Sequence, residues 1–351
     1  MTAAERLGGT TMDTIVSKLE HHGDLDVVPG TVDLAVNVRR DGPPEWLRRH
    51  IAAVDLAPYP DQSLAVEAVA KRHRRDRREV LLTAGAAEAF VLIARALTPR
   101  RAVVVHPQFT EPEIALRAAG HAVERVVLQW PFTFDVNLVP HDADLVVIGN
   151  PTNPTSVRHP RAGLRALVRQ GRTVVVDEAF ADCTPGEPDS LAAEADISGV
   201  VVVRSLTKTW GLAGLRVGYV LAEEAVIERL RSAQPAWPVS SPALAACIAC
   251  SDPAAVREAA DRAEGIAAAR DRLMDGLAAI DGVRVVPAAT ASFVLVRTTV
   301  PDVRERLLAH GFAVRRGDTF PGLGPGWFRA AVRDDGSGPD FVTAVRAAVT
   351  R

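Results

Sequence analysis

From residue 79 onward the chain repeats one pattern: a short run of β-branched residues or leucine, a turn, then an alanine-rich stretch of helical period. The runs at 80–83, 102–106, 122–127, 145–149, 173–177, 200–205 and 217–221 predict seven strands. Several, such as Val174-Val175-Val176 and Val200 to Val203, are apolar throughout instead of alternating. Strands read that way when helices cover both faces of a mostly parallel sheet. The expected fold class is therefore α/β. After Ser251 the texture changes to one long charged, alanine-rich helical segment (253–280). Strand-like runs at 283–286 and 292–297, a helix over 302–310, and a last strand and helix follow, a pattern that suits a smaller α+β unit. The expected organisation is an N-terminal arm with part of the small domain (1–63), a large domain (64–251) and a small C-terminal domain (252–351).

Composition excludes several function classes. Hydrophobic residues at 48% and charged residues at 24% belong to a globular chain, not a disordered one. No apolar run approaches the roughly 20 residues that a bilayer-spanning helix needs. Residues 1–13 include Glu5 and no continuous apolar segment of signal-peptide length, so a cytoplasmic location is expected. A formal charge of -2 argues against nucleic acid as a partner. The basic run KRHRRDRR (71–78) is expected to be a solvated helix end. Three cysteines do not make a disulfide framework. Cys247 and Cys250 share a face of an alanine-rich helical run, where core packing is the better reading than a metal or redox pair. Gly322-Leu323-Gly324-Pro325-Gly326 lacks the spacing and the strand-to-helix setting of a dinucleotide fingerprint and reads as a turn.

The chemistry concentrates after the predicted strand 200–205. Lys208 stands in the glycine-punctuated segment SLTKTWGLAGLRVGY (205–219). The C-terminal ends of parallel strands are where α/β proteins place their ligands. Ser205 and Arg216 flank the lysine and can hold a phosphate, one by its hydroxyl, the other by a bidentate fork. Gly85-Ala86-Ala87-Glu88 opens a helix directly after strand 80–83, so its free backbone N–H groups offer a third side to a phosphate cup. Asp177 ends another predicted strand, where an Asp on its own is more often a helix N-cap or turn residue.

The lysine segment resembles the cofactor-lysine motif of fold-type I pyridoxal 5'-phosphate (PLP) enzymes, the aspartate aminotransferase superfamily. NPTNPTS (150–156) is similar to its NPxNPTG loop, with Ser156 where glycine is usual, and Asp177-Glu178-Ala179-Phe180 is similar to its DEAY or DEAF motif. The resemblance implies a three-layer αβα large domain around a mostly parallel seven-stranded sheet, with a smaller α+β domain. It implies that Lys208 carries the cofactor, that Asp177 pairs with the pyridine nitrogen, and that Asn153 bonds the phenolic oxygen, beside which Phe180 replaces the usual tyrosine. Gly85, Ala86, Ala87, Ser205 and Arg216 would take the phosphate, Phe109 would stack on the ring, and Tyr59 would reach the phosphate of a neighbouring subunit. A homodimer with shared sites follows.

Two groups within the superfamily look alike here: threonine-phosphate decarboxylases of cobalamin synthesis and histidinol-phosphate aminotransferases. Both take a small phosphorylated amino acid or amine. The decarboxylases are resembled in His21-His22-Gly23-Asp24, in Leu34-Ala35-Val36-Asn37 with Gly42-Pro43-Pro44, in Phe180, and in the C-terminal run with Phe320-Pro321-Gly322-Leu323 and Phe328-Arg329-Ala330-Ala331. Arg39 and Arg40 depart from the pattern after Asn37. The expected substrate contacts are His22 to phosphate, Asn37 and Asn153, Arg329 to the α-carboxylate, and Arg315 and Arg333 in the same pocket or at the phosphate. A non-catalytic ligand-binding protein on this fold is the reading from a different class.

Overall fold

The computed structural model describes residues 19–194 and 198–350; the segment 1–13, read above for export signals, lies outside them. Twelve strands are described: β1 (Val32–Leu34), β2 (Val80–Thr83), β3 (Ala102–His106), β4 (Val123–Val127), β5 (Leu145–Gly149), β6 (Thr173–Asp177), β7 (Val200–Ser205), β8 (Gly218–Leu221), β9 (Val283–Val285), β10 (Phe293–Thr298), β11 (Phe312–Arg316) and β12 (Trp327–Ala331). Seven form one sheet in the order β2-β8-β7-β6-β5-β3-β4, and five form another in the order β1-β11-β12-β10-β9. In the larger sheet β4, β3, β5, β6 and β7 run parallel, whereas β8 is antiparallel to both its neighbours.

The unbroken apolar runs have a direct structural cause. Successive side chains of a strand point to opposite faces. Val103, Val146, Val174 and Val202 go to one core, while Val104, Val147, Val175 and Val201 go to the other. Charge enters these strands only near their ends, as at Arg204 on β7, which is buried against Glu178 and Glu187. Cys247 and Cys250 lie in the helix Ser241–Ser251, which packs in the first of these cores, and both are wholly buried. The five-stranded sheet has its own core, closed by the helices Pro253–Ala278 and Gly338–Val349 through Leu273, Leu277, Phe341 and Val345. Asp252 caps the long helix by accepting from Ala254 N at 2.8 Å, and Pro253 occupies its first turn. The N-terminal segment joins this second sheet, because β1 pairs in parallel with β11.

The basic run ends the helix Ser63–His73 and spends its charge locally. Arg77 pairs with Glu67, Arg78 with Asp76 and Glu224, and Arg75 donates to the Ala192 and Glu194 carbonyls. The glycine-rich segment at 322–326 is the turn between β11 and β12. No helix among the described residues is long and apolar enough to cross a membrane.

One buried ionic cluster bears on stability. Glu113, wholly buried, accepts from His106 Nε2 at 2.8 Å, Arg117 Nε at 2.7 Å and Arg125 Nη2 at 2.7 Å. Burial pushes its carboxyl up, but the hydrogen bonds from His106 and Arg125 outweigh burial and hold it at about 2. A carboxyl held below its ordinary 4.5 contributes stability above that pH and loses it as pH falls toward about 2. Chemical denaturation of Glu113→Gln is expected to show a loss of about 3 kcal/mol. The variant's stability should also be flatter than the wild type's across that acid window.

Candidate active site

The site is assembled at one edge of the seven-stranded sheet by strand register. Gly218, the first residue of β8, sits opposite Thr83 at the end of β2 and opposite Ser205 at the end of β7. That pairing brings the start of the helix Gly85–Leu97, the Ser205 hydroxyl and Arg216 to one corner. A Cβ on Gly218 would stand 2.6 Å from the Arg204 carbonyl, so this contact accepts only glycine. Gly85 has φ +79°, and a Cβ there would lie 2.8 Å from Arg216 Nη2. The Arg216 guanidinium therefore rests against bare backbone at a helix N-terminus, where N–H groups lack intrahelical partners. Its Nη1 donates to the Ala213 carbonyl at 3.1 Å, and no carboxylate among the described residues pairs with it. Ser205 Oγ accepts from Thr207 N at 3.2 Å, leaving its own proton to donate. Ala86 and Ala87 present no side-chain bulk. These groups form a corner that could hold a dianion.

Lys208 lies one turn beyond β7, in the short helix Thr207–Trp210. Its Nζ stands 5.5 Å from the centre of the Phe180 ring. Burial, then Arg329 and Arg216, lower its amine to about 8, while Asp177 pulls the other way. At pH 7 about a tenth of such amines is uncharged and nucleophilic, far more than for an ordinary lysine. Asp177 ends β6, accepts from Ala179 N at 3.0 Å, and is pushed up to about 6 by burial. Both groups are held part-way to neutrality by the same desolvation. Phe109, after β3, lies between Phe90 at 6.4 Å and His22 at 6.0 Å, ring centre to ring centre. His22 Nε2 is 2.8 Å from Glu111 Oε1.

The five-stranded sheet supplies the cations. Arg329 on β12 is in register with Arg315 on β11, so two buried guanidinium groups stand side by side. Arg329 donates to Asn153 Oδ1 and to the Ala35 carbonyl. The Asn37 amide, oriented by its hydrogen bonding, accepts from Arg329 Nη1 and Nε at 3.1 Å each. Burial and then Arg315 lower Arg329 to about 9. No carboxylate among the described residues forms an ion pair with it. Arg315, by contrast, pairs with Asp26 Oδ2 at 3.2 Å and donates to the His21 carbonyl.

Arg333 lines a cavity together with Asn37 and Lys208. Its guanidinium donates to the Asp33, Val36 and Val38 carbonyls at 2.8 Å each, so most of its donors clamp the backbone around Asn37. Tyr59 is 76% exposed and stacks on Trp237 at 4.4 Å, away from this protomer's own cup residues. Two participants carried no legible signal. Phe293 packs edge-on to Phe180 at 4.9 Å and lies under Arg329 at 5.4 Å, and Asp26 is a buried counter-charge for Arg315. Neither contact is local in sequence: Phe180 and Phe293 are more than a hundred residues apart, as are Asp26 and Arg315.

Comparison with known proteins agrees with this geometry. Residues 29–339 match the family Aminotransferase class I and II. A histidinol-phosphate aminotransferase of Mycobacterium tuberculosis is 53% identical over 321 residues, covering 90% of this chain and 87% of its own. The threonine-phosphate decarboxylase of Salmonella typhimurium is 28% identical over 338 residues, covering 91% of each. Among solved structures, a histidinol-phosphate aminotransferase from Clostridium acetobutylicum and an L-threonine-O-3-phosphate decarboxylase from Porphyromonas gingivalis each superpose with a TM-score of 0.80 at 24% identity, covering 90% of this chain and 98% of theirs. The aspartate aminotransferase of Thermus thermophilus superposes at 0.79, with 24% identity, covering 91% of both chains. The chain belongs to the aminotransferase class I and II family, PLP-dependent enzymes built on the aspartate aminotransferase fold.

Proposed function

We propose that the protein is a PLP-dependent lyase that decarboxylates L-threonine O-3-phosphate to (R)-1-amino-2-propanol phosphate and CO2, a reaction of cobalamin biosynthesis. The observation that carries this reading is the register pair Arg315 and Arg329. Two adjacent buried cations suit a substrate with two anionic groups. Arg329, which has amide and carbonyl partners but no counter-charge, suits the carboxylate, with Asn37 and Asn153 fixing its plane. Arg315, with His22 nearby, suits the phosphate.

The residues present fit the cofactor. Gly85 leaves open a cradle that any Cβ would close, and Lys208 and Asp177 are buried with partly neutralised charge. Backbone N–H groups of Ala86 and Ala87, with Gly85, Ser205 and Arg216, take the phosphate. Tyr59 of a second copy completes the cup, and the exposed Leu56, Tyr59 and Trp237 form an apolar surface for that copy to cover. Phe109 stacks on the ring, and Asp177 holds the ring nitrogen's proton. When bound, PLP supplies an aldehyde for an amine and a ring that withdraws electrons from Cα. Arg329, Asn37 and Asn153 would fix the carboxylate so that its bond to Cα, and not the C–H bond, is the one poised to break. Lys208 Nζ holds the proton returned to Cα. Phe180 offers no hydroxyl to the cofactor's oxygen, which removes one hydrogen bond that a tyrosine would make. All three cysteines are free and buried, which fits a reducing compartment such as the cytoplasm.

A second reading, amino transfer from histidinol phosphate, is favoured by the 53% identical relative of that name. The same cup and lysine serve both reactions. Purified enzyme given L-threonine O-3-phosphate alone should release CO2. Consumption only after addition of 2-oxoglutarate would reject the decarboxylase reading, and conversion of the bound cofactor to its pyridoxamine form by histidinol phosphate would establish the other.

A further prediction concerns Lys208 itself. Uptake of PLP by cofactor-free protein needs the neutral amine, so its rate should rise with pH and level off above about 8. Borohydride should then fix a pyridoxyl label on Lys208 in the wild type and none in Lys208→Ala. Labelling elsewhere in the wild type would refute the assignment.

A further inference from the structure

The NPTNPTS turn departs from the family's glycine at Ser156, and the structure shows what the serine does. Ser156 is wholly buried and has φ +62°. An L side chain is uncommon in that region and persists where its surroundings over-determine it. Here the surroundings belong to the segment leading into the other sheet. Ser156 Oγ accepts the Ala291 backbone N–H at 2.9 Å, and the Ser156 carbonyl accepts from Thr290 N at 2.9 Å and Thr290 Oγ1 at 3.2 Å. Val157 and Ala289 add an antiparallel bridge. Two residues past Ala291, Phe293 supports both Phe180 and Arg329; three residues before Ser156, Asn153 accepts from Arg329. The contacts close a ring from Asn153 through Ser156, Ala291, Phe293 and Arg329 back to Asn153.

We propose that Ser156 is a positioning residue: by tying its loop to Ala291 it holds the Asn153 amide against Arg329 and the cofactor's oxygen, so the carboxylate anchor stands assembled before substrate arrives. The proposal rests on the reading of Asn153 given above. Glycine would adopt the same φ readily, so the side chain is not needed for the turn itself. What glycine would lose is the acceptor for a wholly buried N–H, since Ala291 has no solvent exposure. The Thr290 bonds and the Val157–Ala289 bridge would remain, so the loop that carries Asn153 loses its one side-chain tie to Ala291 and is held less tightly.

The test uses holoenzyme of Ser156→Gly, Asn153→Ala and the double variant, following the absorbance of the Lys208-bound cofactor against pH. Asn153→Ala is expected to shift the titration midpoint, and Ser156→Gly to shift it in the same direction by about half a unit or less. In the double variant the serine change should add nothing. A shift in Asn153→Ala with none in Ser156→Gly, or shifts that add, overturns the positioning role alone. A flat Asn153→Ala titration overturns the Asn153 reading and the proposal with it. Ser156→Ala replaces the glycine variant if the latter does not fold. Hydrogen exchange in wild-type holoenzyme needs no substitution: the Ala291 amide should exchange as slowly as those of β10, and exchange at the rate of a solvated loop rejects the tether.

Discussion

Desolvation of charge at the sheet edge is the constraint on which the rest of the structure depends. The central strands are covered on both faces, so ionisable groups gather where the strands stop. There Lys208, Asp177 and Arg329 are all pushed toward their neutral forms, each chiefly by burial. A buried cation without a counter-charge is costly, and the fold tolerates it where an anionic ligand will supply the missing charge. Arg329 is such a cation, whereas Arg216 is exposed and lies against the helix start at Gly85. On the proposed roles, with Arg329 at a substrate carboxylate and Arg216 at a cofactor phosphate, segments of both sheets set the distance between the two groups.

The sheets contribute in different ways. The seven-stranded sheet provides rigid ends: Asp177, Ser205 and the Gly85 helix start are each one or two residues from a strand whose register is fixed by burial on both sides. The five-stranded sheet provides Arg315, Arg329 and Phe293, all on neighbouring strands. What joins them is sparse and polar: Asn153 to Arg329, Ser156 to Ala291, and the Arg333 clamp on the segment that carries Asn37. Each of these contacts saturates backbone or amide groups that would otherwise be buried without partners, which is why so few of them suffice. Arg333 shows the price of reading such residues singly, since a guanidinium near a substrate pocket can be largely engaged by main chain.

Much of the fold was legible because its physics is local. Seven strand positions could be read from apolar runs, with β4 and β8 each starting one residue later than the runs indicated, because burial on both faces leaves an unmistakable pattern. Lys208, Asp177 and Asn153 were legible as candidates because each lies in a contiguous stretch that resembles a motif of fold-type I PLP enzymes. Phe293, Asp26 and the Ser156 tether were not legible. An apolar residue in a strand, an acid near the N-terminus and a serine in a turn have many ordinary explanations, and only a distant partner selects among them.

By itself, then, the sequence determined that the chain is α/β and where the strands of its large sheet lie, because periodicity acts over a few residues, while the resemblance to PLP enzymes singled out one amine and one carboxylate as candidates. The tertiary structure alone decided that Gly218 aligns Ser205 with Gly85, that Arg315 and Arg329 stand side by side, and that Arg333 serves the backbone. Those are register and packing relations between segments far apart in the chain. No local rule encodes them, since the same side chain is a ligand, a clamp or a surface charge according to what folding brings within hydrogen-bond reach.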